Sequence, residues 1–252
     1  MTNSEFIKYG AAYLKDISAI HLQGNFGSVL ELLQGQLTSD CNKITNQLGQ
    51  ASSLCDEKGF ILCNFDIIFD NERWLILIDK NSEQVFLEEI KKFLPFYKVS
   101  FDILNCVIVG ISRTINEVSH SSEHIILKNT KKFLSLIIDP SDDFLNQIKI
   151  INSDCWEINR KILGDHKIKV EDSGKYRPHE LCQENLRISF EKGCFKGQEI
   201  IARMEYLGRL KKETRLILHS NQDEIKKYKV IGKTYKFQGN YFSSCLGNAE
   251  NF

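Results

Sequence analysis

The amino-acid sequence predicts an α+β fold in which antiparallel strands and packed helices share one chain. Hydrophobic residues make up 42% of the 252 residues and charged residues 26%, a composition typical of a globular protein with a substantial core. Short stretches with strand-like apolar patterns are interspersed with stretches of helical spacing. They do not follow the regular strand–helix–strand repeat of a parallel sheet, which favours the α+β class.

The first half of the chain is predicted to contain a strand, two helices and an antiparallel meander. Residues 18–22 form the first predicted strand, and a turn at 24–28 leads into a helix over 29–37 with an apolar face. A second, amphipathic helix over 84–93 is stopped by Pro95, which cannot continue it. Between the helices, three strands joined by turns span residues 50–55, 60–69 and 74–78.

The second half of the chain is predicted to contain weaker strands and a long polar segment. Residues 164–178 are polar and rich in turn residues, so we expect an exposed loop there. A short helix is expected after Pro140. The predicted strands span residues 105–111, 124–127, 133–138 and 214–218.

Charge and cysteine usage narrow the function classes. Lysine plus arginine (33) balance aspartate plus glutamate (33), so no global charge argues for nucleic acid or an acidic membrane surface. The first residues lack the basic-then-apolar order of a secretory signal, and no apolar run approaches the length of a membrane span. We therefore expect a soluble, intracellular protein without a membrane partner. Several of the eight cysteines lie in apolar strands and none forms a Cys-x-x-Cys pair, which favours buried, reduced thiols over a metal site.

The octet Lys-Gly-Cys-Phe-Lys-Gly-Gln-Glu at residues 192–199 is the strongest functional signal. Neighbouring cations lower the pKa of a thiol, and the thiolate is its nucleophilic form. Lys192 and Lys196 flank Cys194, and the residues that follow have helical spacing, so Cys194 is predicted near a helix entrance. This arrangement predicts a functional thiol. The alternative is that a small residue is needed where a strand turns tightly into a helix.

The octet resembles the signature of the YgfZ-type folate-binding proteins, which are relatives of the glycine-cleavage T-protein. Further matching positions are Ile201-Ala202-Arg203, Tyr206, Gly208, Lys211 and Thr214. A second family element lies near the N-terminus as Leu-Gln-Gly-Gln-Leu-Thr-Ser-Asp at residues 33–40, followed by Cys-Asp-Glu-Lys-Gly at 55–59. In outline the resemblance covers residues 17–215.

The resemblance implies both a fold and a function. It implies the aminomethyltransferase (T-protein)-like folate-binding core over residues 1–210, as two interleaved subdomains. Residues 211–252 are too few for the family's C-terminal β-barrel, which we expect to be reduced or missing. The implied function is that of a cytoplasmic protein supporting the assembly or repair of iron–sulfur enzymes and, through them, tRNA modification. Its implied ligand is tetrahydrofolate, and its implied partners are iron–sulfur enzymes or their assembly machinery.

The same resemblance implies the roles of individual residues. Cys194 and Lys192 are the candidate catalytic residues. Trp156 is a candidate platform for a pterin ring, with core packing as its alternative. Arg203 suits a carboxylate of folate, with a helical ion pair to Glu199 as the alternative. The candidate folate-binding residues are Trp156, Gln198, Glu199 and Arg203, and no metal ligand is assigned.

Three positions depart from the family pattern. Cys63 stands where the T-protein carries its catalytic aspartate, and a thiol cannot replace a carboxylate there. Ile162 stands where the relatives tend to place a glutamate, and Ile17 where bacterial members often carry a tryptophan. We therefore do not expect classical aminomethyl transfer. The alternatives are a folate-dependent one-carbon transferase and a non-catalytic folate-binding module.

Three other clusters are interpreted as structural. His120 and His124 are four apart but lie in loop and strand contexts, and His179 with Cys182 supplies half of a zinc site at most. Acidic residues are interleaved among the basic residues that follow position 208, so we expect a solvated face and no direct tRNA contact. Those basic residues are Arg209, Lys211, Lys212 and Arg215.

Overall fold

The computed structural model describes residues 7–114, 122–129, 131–208 and 211–252, with the backbone alone at Asn251. Its strands are β1 Gly10–Tyr13, β2 Ile17–Gln23, β3 Gln50–Cys55, β4 Ile61–Asp70, β5 Arg73–Asp79, β6 Ser100–Leu104, β7 Ile108–Thr114, β8 His124–Asn129, β9 Lys132–Ile138, β10 Lys212–His219, β11 Lys229–Phe237 and β12 Asn240–Asn248. Its α-helices are α1 Phe26–Gln36, α2 Glu83–Ile90, α3 Leu94–Tyr97, α4 Asp142–Asn146, α5 Ser153–Ile162, α6 Glu184–Arg187 and α7 Gln198–Leu207. Within these ranges no helix has the length and apolar character needed to cross a membrane.

The strands form three antiparallel sheets. The largest has the order β3-β4-β5-β2-β6, the second β1-β7-β9-β8 and the third β10-β12-β11. The third sheet has two edge strands in the described part of the chain, so it is open and no closed barrel forms there. The predicted α+β class, its antiparallel sheets and the reduced C-terminal barrel are confirmed.

The five-stranded sheet is buried on both faces, and β5 shows why. In β5, Trp74, Ile76 and Ile78 pack into the core beneath α1 and α2. Leu75 and Leu77 point the other way and pack against the four-stranded sheet. A strand covered on both faces has a continuous apolar run instead of an alternating one, which explains this part of the sequence.

Several predicted boundaries differ from the structure for local reasons. Helix α1 begins at Phe26, earlier than predicted, because the Asn25 side chain caps it by accepting a hydrogen bond from the Gly27 amide at 3.0 Å. The predicted exposed loop over 164–178 is wrong in part, since Asp165 and His166 are buried. The predicted boundary at residue 210 stays a prediction, because residues 209 and 210 lie outside the described ranges.

Helix α5 and the segment that follows it connect the sheets. Trp156 and Ile158 of α5 are buried, and the helix contacts β1 and β7 of the four-stranded sheet and β11 and β12 of the third sheet. The Asn64 side chain on β4 accepts a hydrogen bond from the Ile168 amide at 2.9 Å. This contact holds the segment after α5 against the five-stranded sheet.

Candidate functional site

A cavity of about 410 Å³ lies where the five-stranded sheet, α5, the following segment and β11 meet. Its volume falls in the range of small-molecule sites. Charged side chains supply much of its wall, including Asp66 of β4, Lys161 of α5 and Asp165 after that helix. Gly232 and Tyr235 of β11 close the opposite side.

A buried ion network lies behind one wall of this cavity, to which it contributes Asp66 and Asp165. The Arg160 guanidinium donates two hydrogen bonds to the Asp66 carboxylate, at 2.7 and 2.8 Å, and a third from Nε to Asp165 at 2.7 Å. Arg187 donates two more to Asp165, both at 2.9 Å. The remaining Arg187 nitrogen donates to the backbone oxygen of Phe65 at 2.9 Å. The network therefore joins β4, α5, the following segment and α6.

The network fixes the protonation of its members. Burial alone would raise the pKa of Asp165, but Arg160 and Arg187 outweigh it and hold that pKa well below its usual range. Burial would lower the pKa of Arg160, and Asp165 and Asp66 outweigh it and raise that pKa. Asp165 thus stays ionised and bound on both oxygens, which makes it a structural counter-ion and a poor proton carrier.

A second polar chain borders the cavity at Lys161. The Lys161 ammonium donates a hydrogen bond to Ser244 Oγ at 2.7 Å, and Ser244 Oγ lies 2.9 Å from His166 Nδ1. Burial lowers the pKa of His166 to about 4, with a smaller contribution from the Lys161 charge. When the proton of a neutral His166 is on Nε2, its Nδ1 accepts a hydrogen bond from the Ser244 hydroxyl.

The two lysines of the octet bind groups elsewhere in the fold. Lys192 donates from Nζ to the backbone oxygens of Leu37 and Ser39, at 2.7 and 2.8 Å, beyond the C-terminal end of α1. Burial lowers the pKa of Lys192 to about 8. Lys196 pairs with Glu89 at 2.9 Å and with Glu57 at 3.1 Å. Both ammonium groups therefore anchor the octet.

The remaining octet residues shape the loop before α7. Gln198 accepts a hydrogen bond from the Phe195 amide at 3.2 Å, and the Phe195 ring is buried. Glu199 and Arg203 lie one turn apart on the exposed face of α7. Cys194 is exposed. The octet is thus a docked loop that presents its thiol to solvent.

None of the six predicted site residues lines the cavity beside Asp66. Trp156 is 1% exposed, packs against Gly110 and has its ring 5.8 Å from the Arg160 guanidinium. It therefore lies behind the ion network, in the core. The structure does not bring Cys194, Trp156 and Arg203 into one cleft, and their functional roles stay predictions. The six residues are Trp156, Lys192, Cys194, Gln198, Glu199 and Arg203.

Comparisons with known proteins place this chain among its relatives. No protein-family model matches it. The "tRNA-modifying protein YgfZ" of Colwellia psychrerythraea is 29% identical over 223 residues, covering 79% of this chain and 68% of that protein. The protein of the same name from Vibrio atlanticus is 24% identical over 228 residues, covering 84% and 70%. The chain is a relative of the YgfZ proteins.

A solved structure identifies the fold of this YgfZ relative. Glycine cleavage system aminomethyltransferase T from Bartonella henselae superimposes with a TM-score of 0.61, covering 98% of this chain and 81% of that one. Sequence identity is only 12%, so this likeness shows the fold alone. The predicted T-protein-like fold is confirmed.

Cys63, one of the three departures from the family pattern, does not line the cavity. Cys63 packs into the core beneath α1 and α2, where burial raises the pKa of its thiol. Strand alternation turns Asn64 and Asp66 to the cavity instead. The nearest carboxylate on that strand is therefore Asp66, and Arg160 binds both of its oxygens. Of the two other departures, Ile17 lines the cavity and Ile162 ends α5.

Sequence reasoning missed the buried ion network behind the cavity wall. Arg160 and Arg187 are among the largest fully buried side chains, although arginine is mostly exposed in proteins. One signal was available, because Arg187 and Asp66 each interrupt an otherwise apolar run. A charge inside such a run indicates a buried partner, but it does not identify the partner.

The clusters interpreted as structural have other partners. His124 Nε2 lies 3.4 Å from Asp70 Oδ1, and His120 falls outside the described residues. His179 Nε2 lies 2.9 Å from Glu205, while the Cys182 thiol donates to the Thr214 backbone oxygen at 3.5 Å. Arg209 also falls outside the described residues. The exposed Arg215 pairs with Glu213.

Iodoacetamide is expected to alkylate Cys194 faster than any other cysteine. The other seven thiols are buried or half-buried, whereas Cys194 is exposed. Burial also raises the pKa of the two half-buried thiols, Cys106 and Cys182. Time-resolved mass spectrometry of the labelled peptides measures the order. Cys194→Ser should remove the fast phase, and equally fast labelling of Cys106 would contradict the expectation.

Proposed function

We propose that this YgfZ relative binds a reduced folate, with tetrahydrofolate as the ligand, in the cavity beside Asp66 and supports tRNA modification. The observation that carries the proposal is the cavity of about 410 Å³, present in a chain with the aminomethyltransferase T fold. The relatives named as tRNA-modifying proteins support the second part. A folate presents a flat polar ring and carboxylates, and a cavity with mixed polar and apolar walls suits both.

The proposed activity is binding without aminomethyl transfer. A carboxylate that orients or deprotonates a folate nitrogen needs a free oxygen. Asp66 and Asp165, which both line the cavity, each use both oxygens on buried guanidinium groups. The residues on the cavity wall can therefore orient a ligand by hydrogen bonds and charge, while proton transfer by these two groups is disfavoured.

The Cys194 thiol is the proposed contact with iron–sulfur enzymes or their assembly machinery. Its exposure on a docked loop makes it accessible to a protein partner. Lys192 holds the loop through the backbone oxygens of Leu37 and Ser39, so it acts as a positioning residue for the thiol. In this proposal the folate binds in the cavity and the thiol contacts its partner on a different part of the surface. The loop around Cys194 keeps its conformation without a bound ligand.

Tetrahydrofolate is expected to change the tryptophan fluorescence of the protein, and the change should persist in Trp74→Phe. The Trp156 ring centroid lies 5.8 Å from the guanidinium of Arg160, which binds Asp66 on the cavity wall, so we expect a bound pterin to alter the surroundings of this ring. Trp74 instead packs with Phe26 and Phe69, and its removal leaves Trp156 as the only tryptophan. Titration under reducing, anaerobic conditions measures the effect. Loss of the change in Trp74→Phe, together with no heat of binding by calorimetry, would refute folate binding in this cavity.

Cys194→Ser is expected to lower the activity of iron–sulfur enzymes in cells that lack the native copy. The substitution removes the exposed thiol and leaves the anchors of the loop in place. Cys182→Ser is the matched control, because Cys182 is half-buried and donates to the Thr214 backbone oxygen. Purified Cys194→Ser protein should still bind tetrahydrofolate. Unchanged iron–sulfur enzyme activity would exclude the thiol from the function.

A further inference from the structure

Lys161 is a buried amine on the cavity wall without a carboxylate partner. The residue is 5% exposed, and its Nζ donates to the neutral hydroxyl of Ser244. Among the described residues no carboxylate oxygen lies within 4.0 Å of this nitrogen, and Ser244 Oγ is its one hydrogen-bond acceptor. An ammonium group carries three donors, so two remain available to a ligand.

The buried arginines beside the cavity and the half-buried Lys167 all have ion-pair partners. Arg160 and Arg187 share the carboxylates of Asp66 and Asp165. Lys167 pairs with Glu157 at 2.9 Å. Lys161, in contrast, has no ion-pair partner within 4.0 Å among the described residues, and the other charged side chains on the cavity wall, Asp79, Lys169, Glu171 and Lys233, are exposed to solvent. A buried charge without a partner is costly, so such a site favours an incoming group of opposite charge.

The neighbours of Lys161 on the third sheet supply no negative charge. Ser244 bridges to His166, and burial keeps that imidazole neutral by lowering its pKa to about 4. The Tyr235 ring centroid lies 5.8 Å from Nζ, and burial raises the pKa of its hydroxyl. Burial likewise raises the pKa of Cys245 to about 11. At neutral pH these groups are all uncharged.

We propose that Lys161 forms an anion-binding subsite of the cavity, in which its ammonium receives a carboxylate of the bound molecule. This inference rests on the proposed function, because it takes the cavity to be the ligand site. Gly232 and Tyr235 line the cavity beside Lys161, so a carboxylate there lies against β11 of the third sheet. Ser244 and the neutral His166 hold the ammonium in place from behind.

The subsite gives carboxylate binding a defined pH dependence. Burial lowers the pKa of Lys161 to about 8; Glu157 and Asp165 oppose that effect, and Lys167 adds to it. An anion stabilises the charged amine, so the bound form has the higher pKa. The affinity for the carboxylate is therefore constant below about pH 8. Above that pH it falls by about tenfold per pH unit, until the pH reaches the pKa that Lys161 has in the bound form. Near pH 8, binding takes up protons from the buffer.

Three probes separate this inference from the proposed function. Tetrahydrofolate carries both a pterin and carboxylates, 4-aminobenzoylglutamate carries carboxylates alone, and 6-methyltetrahydropterin carries the ring alone. Calorimetric titration of the full chain in two buffers of different ionisation enthalpy measures affinity and proton uptake together. For the wild-type protein we expect proton uptake with both carboxylate probes and none with the pterin.

Lys161→Met is expected to weaken the binding of both carboxylate probes by about 10- to 100-fold and to abolish its pH dependence. Pterin binding should be unchanged. Lys226→Met is the matched control at an exposed lysine in the C-terminal segment and should behave as wild type. Removing a buried, unpaired charge does not threaten folding, and the wild-type pH profile tests the inference even without the variant.

Each outcome decides between the two proposals. If tetrahydrofolate binds with a flat profile from pH 7 to 9.5 and Lys161→Met has no effect, folate binding stands and the anion subsite is overturned. If 4-aminobenzoylglutamate binds through Lys161 while tetrahydrofolate and the pterin do not bind, the subsite stands and the folate proposal fails. Absence of binding by all three probes overturns both.

Discussion

Asp165→Asn should destabilise the protein by about 3–5 kcal/mol, the cost of breaking a buried ion pair from one side. The substitution keeps the shape of the side chain but removes the charge that Arg160 and Arg187 share. Both guanidinium groups are at most 1% exposed, so water cannot replace the lost carboxylate. Urea denaturation followed by tryptophan fluorescence measures the loss as a lower midpoint at an unchanged slope.

The pH dependence of this effect has a definite sign. The pKa of Asp165 is lower in the folded protein than its ordinary value of about 3.9, so its stabilisation is present above about pH 4 and is lost as the pH falls through the folded value. The gap between wild type and Asp165→Asn should therefore narrow on acidification. Asp223→Asn, which breaks an exposed pair with Lys226, should change stability by less than about 0.5 kcal/mol. If Asp165→Asn lowered the free energy of unfolding by less than about 1 kcal/mol, the buried ion network would not stabilise the fold as expected.

The sequence predicts the parts of this fold that depend on local pattern. The meander of β3, β4 and β5 follows from apolar runs separated by turn residues. The prediction that Pro95 stops the second helix is wrong, because α2 already ends at Ile90 and Pro95 lies in the first turn of α3, where its missing amide costs no helical hydrogen bond. Strands β11 and β12 were not predicted, because their polar residues hide the alternation. Strand β6 was missed as well, since its side chains are half-buried or exposed and carry little hydrophobic signal.

The ion network behind the cavity wall could not be predicted, because its members are distant in sequence. Asp66 and Arg160 are separated by 94 residues, and although the apolar run around Asp66 indicates a buried partner, nothing along the chain identifies Arg160 as that partner. The octet, in contrast, is contiguous, so its pattern could be recognised, but the partners of its lysines could not. The sequence placed Lys192 beside Cys194, whereas the structure directs its ammonium to Leu37 and Ser39. Spacing along the chain predicts proximity and does not predict where a long side chain points.

The two glycines of the octet have different roles, and one pair of variants distinguishes them. Gly197→Ala should destabilise the protein by about 2–4 kcal/mol, since a left-handed residue with a side chain is strained and the added carbon meets its neighbours. Gly197 has φ +81°, and a Cβ there would lie 2.4 Å from the Asp56 backbone oxygen. The turn at Asp56 cannot retreat easily, because its backbone oxygen also accepts from the Gly59 amide at 3.0 Å. Thermal and urea denaturation measure the loss.

Gly193→Ala is the matched control within the same loop. A Cβ at Gly193 meets nothing within 4 Å, and its φ is not in the left-handed region, so the change should stay within about 0.5 kcal/mol. If both variants were equally stable, the close approach of the octet to the Asp56 turn would not matter to the fold. Two results together would show that Gly193 is dispensable for holding the loop against the rest of the fold. Gly197→Ala, but not Gly193→Ala, would have a lower denaturation midpoint, and Cys194 in Gly193→Ala would be alkylated at the wild-type rate. The second glycine then holds the loop that presents the thiol.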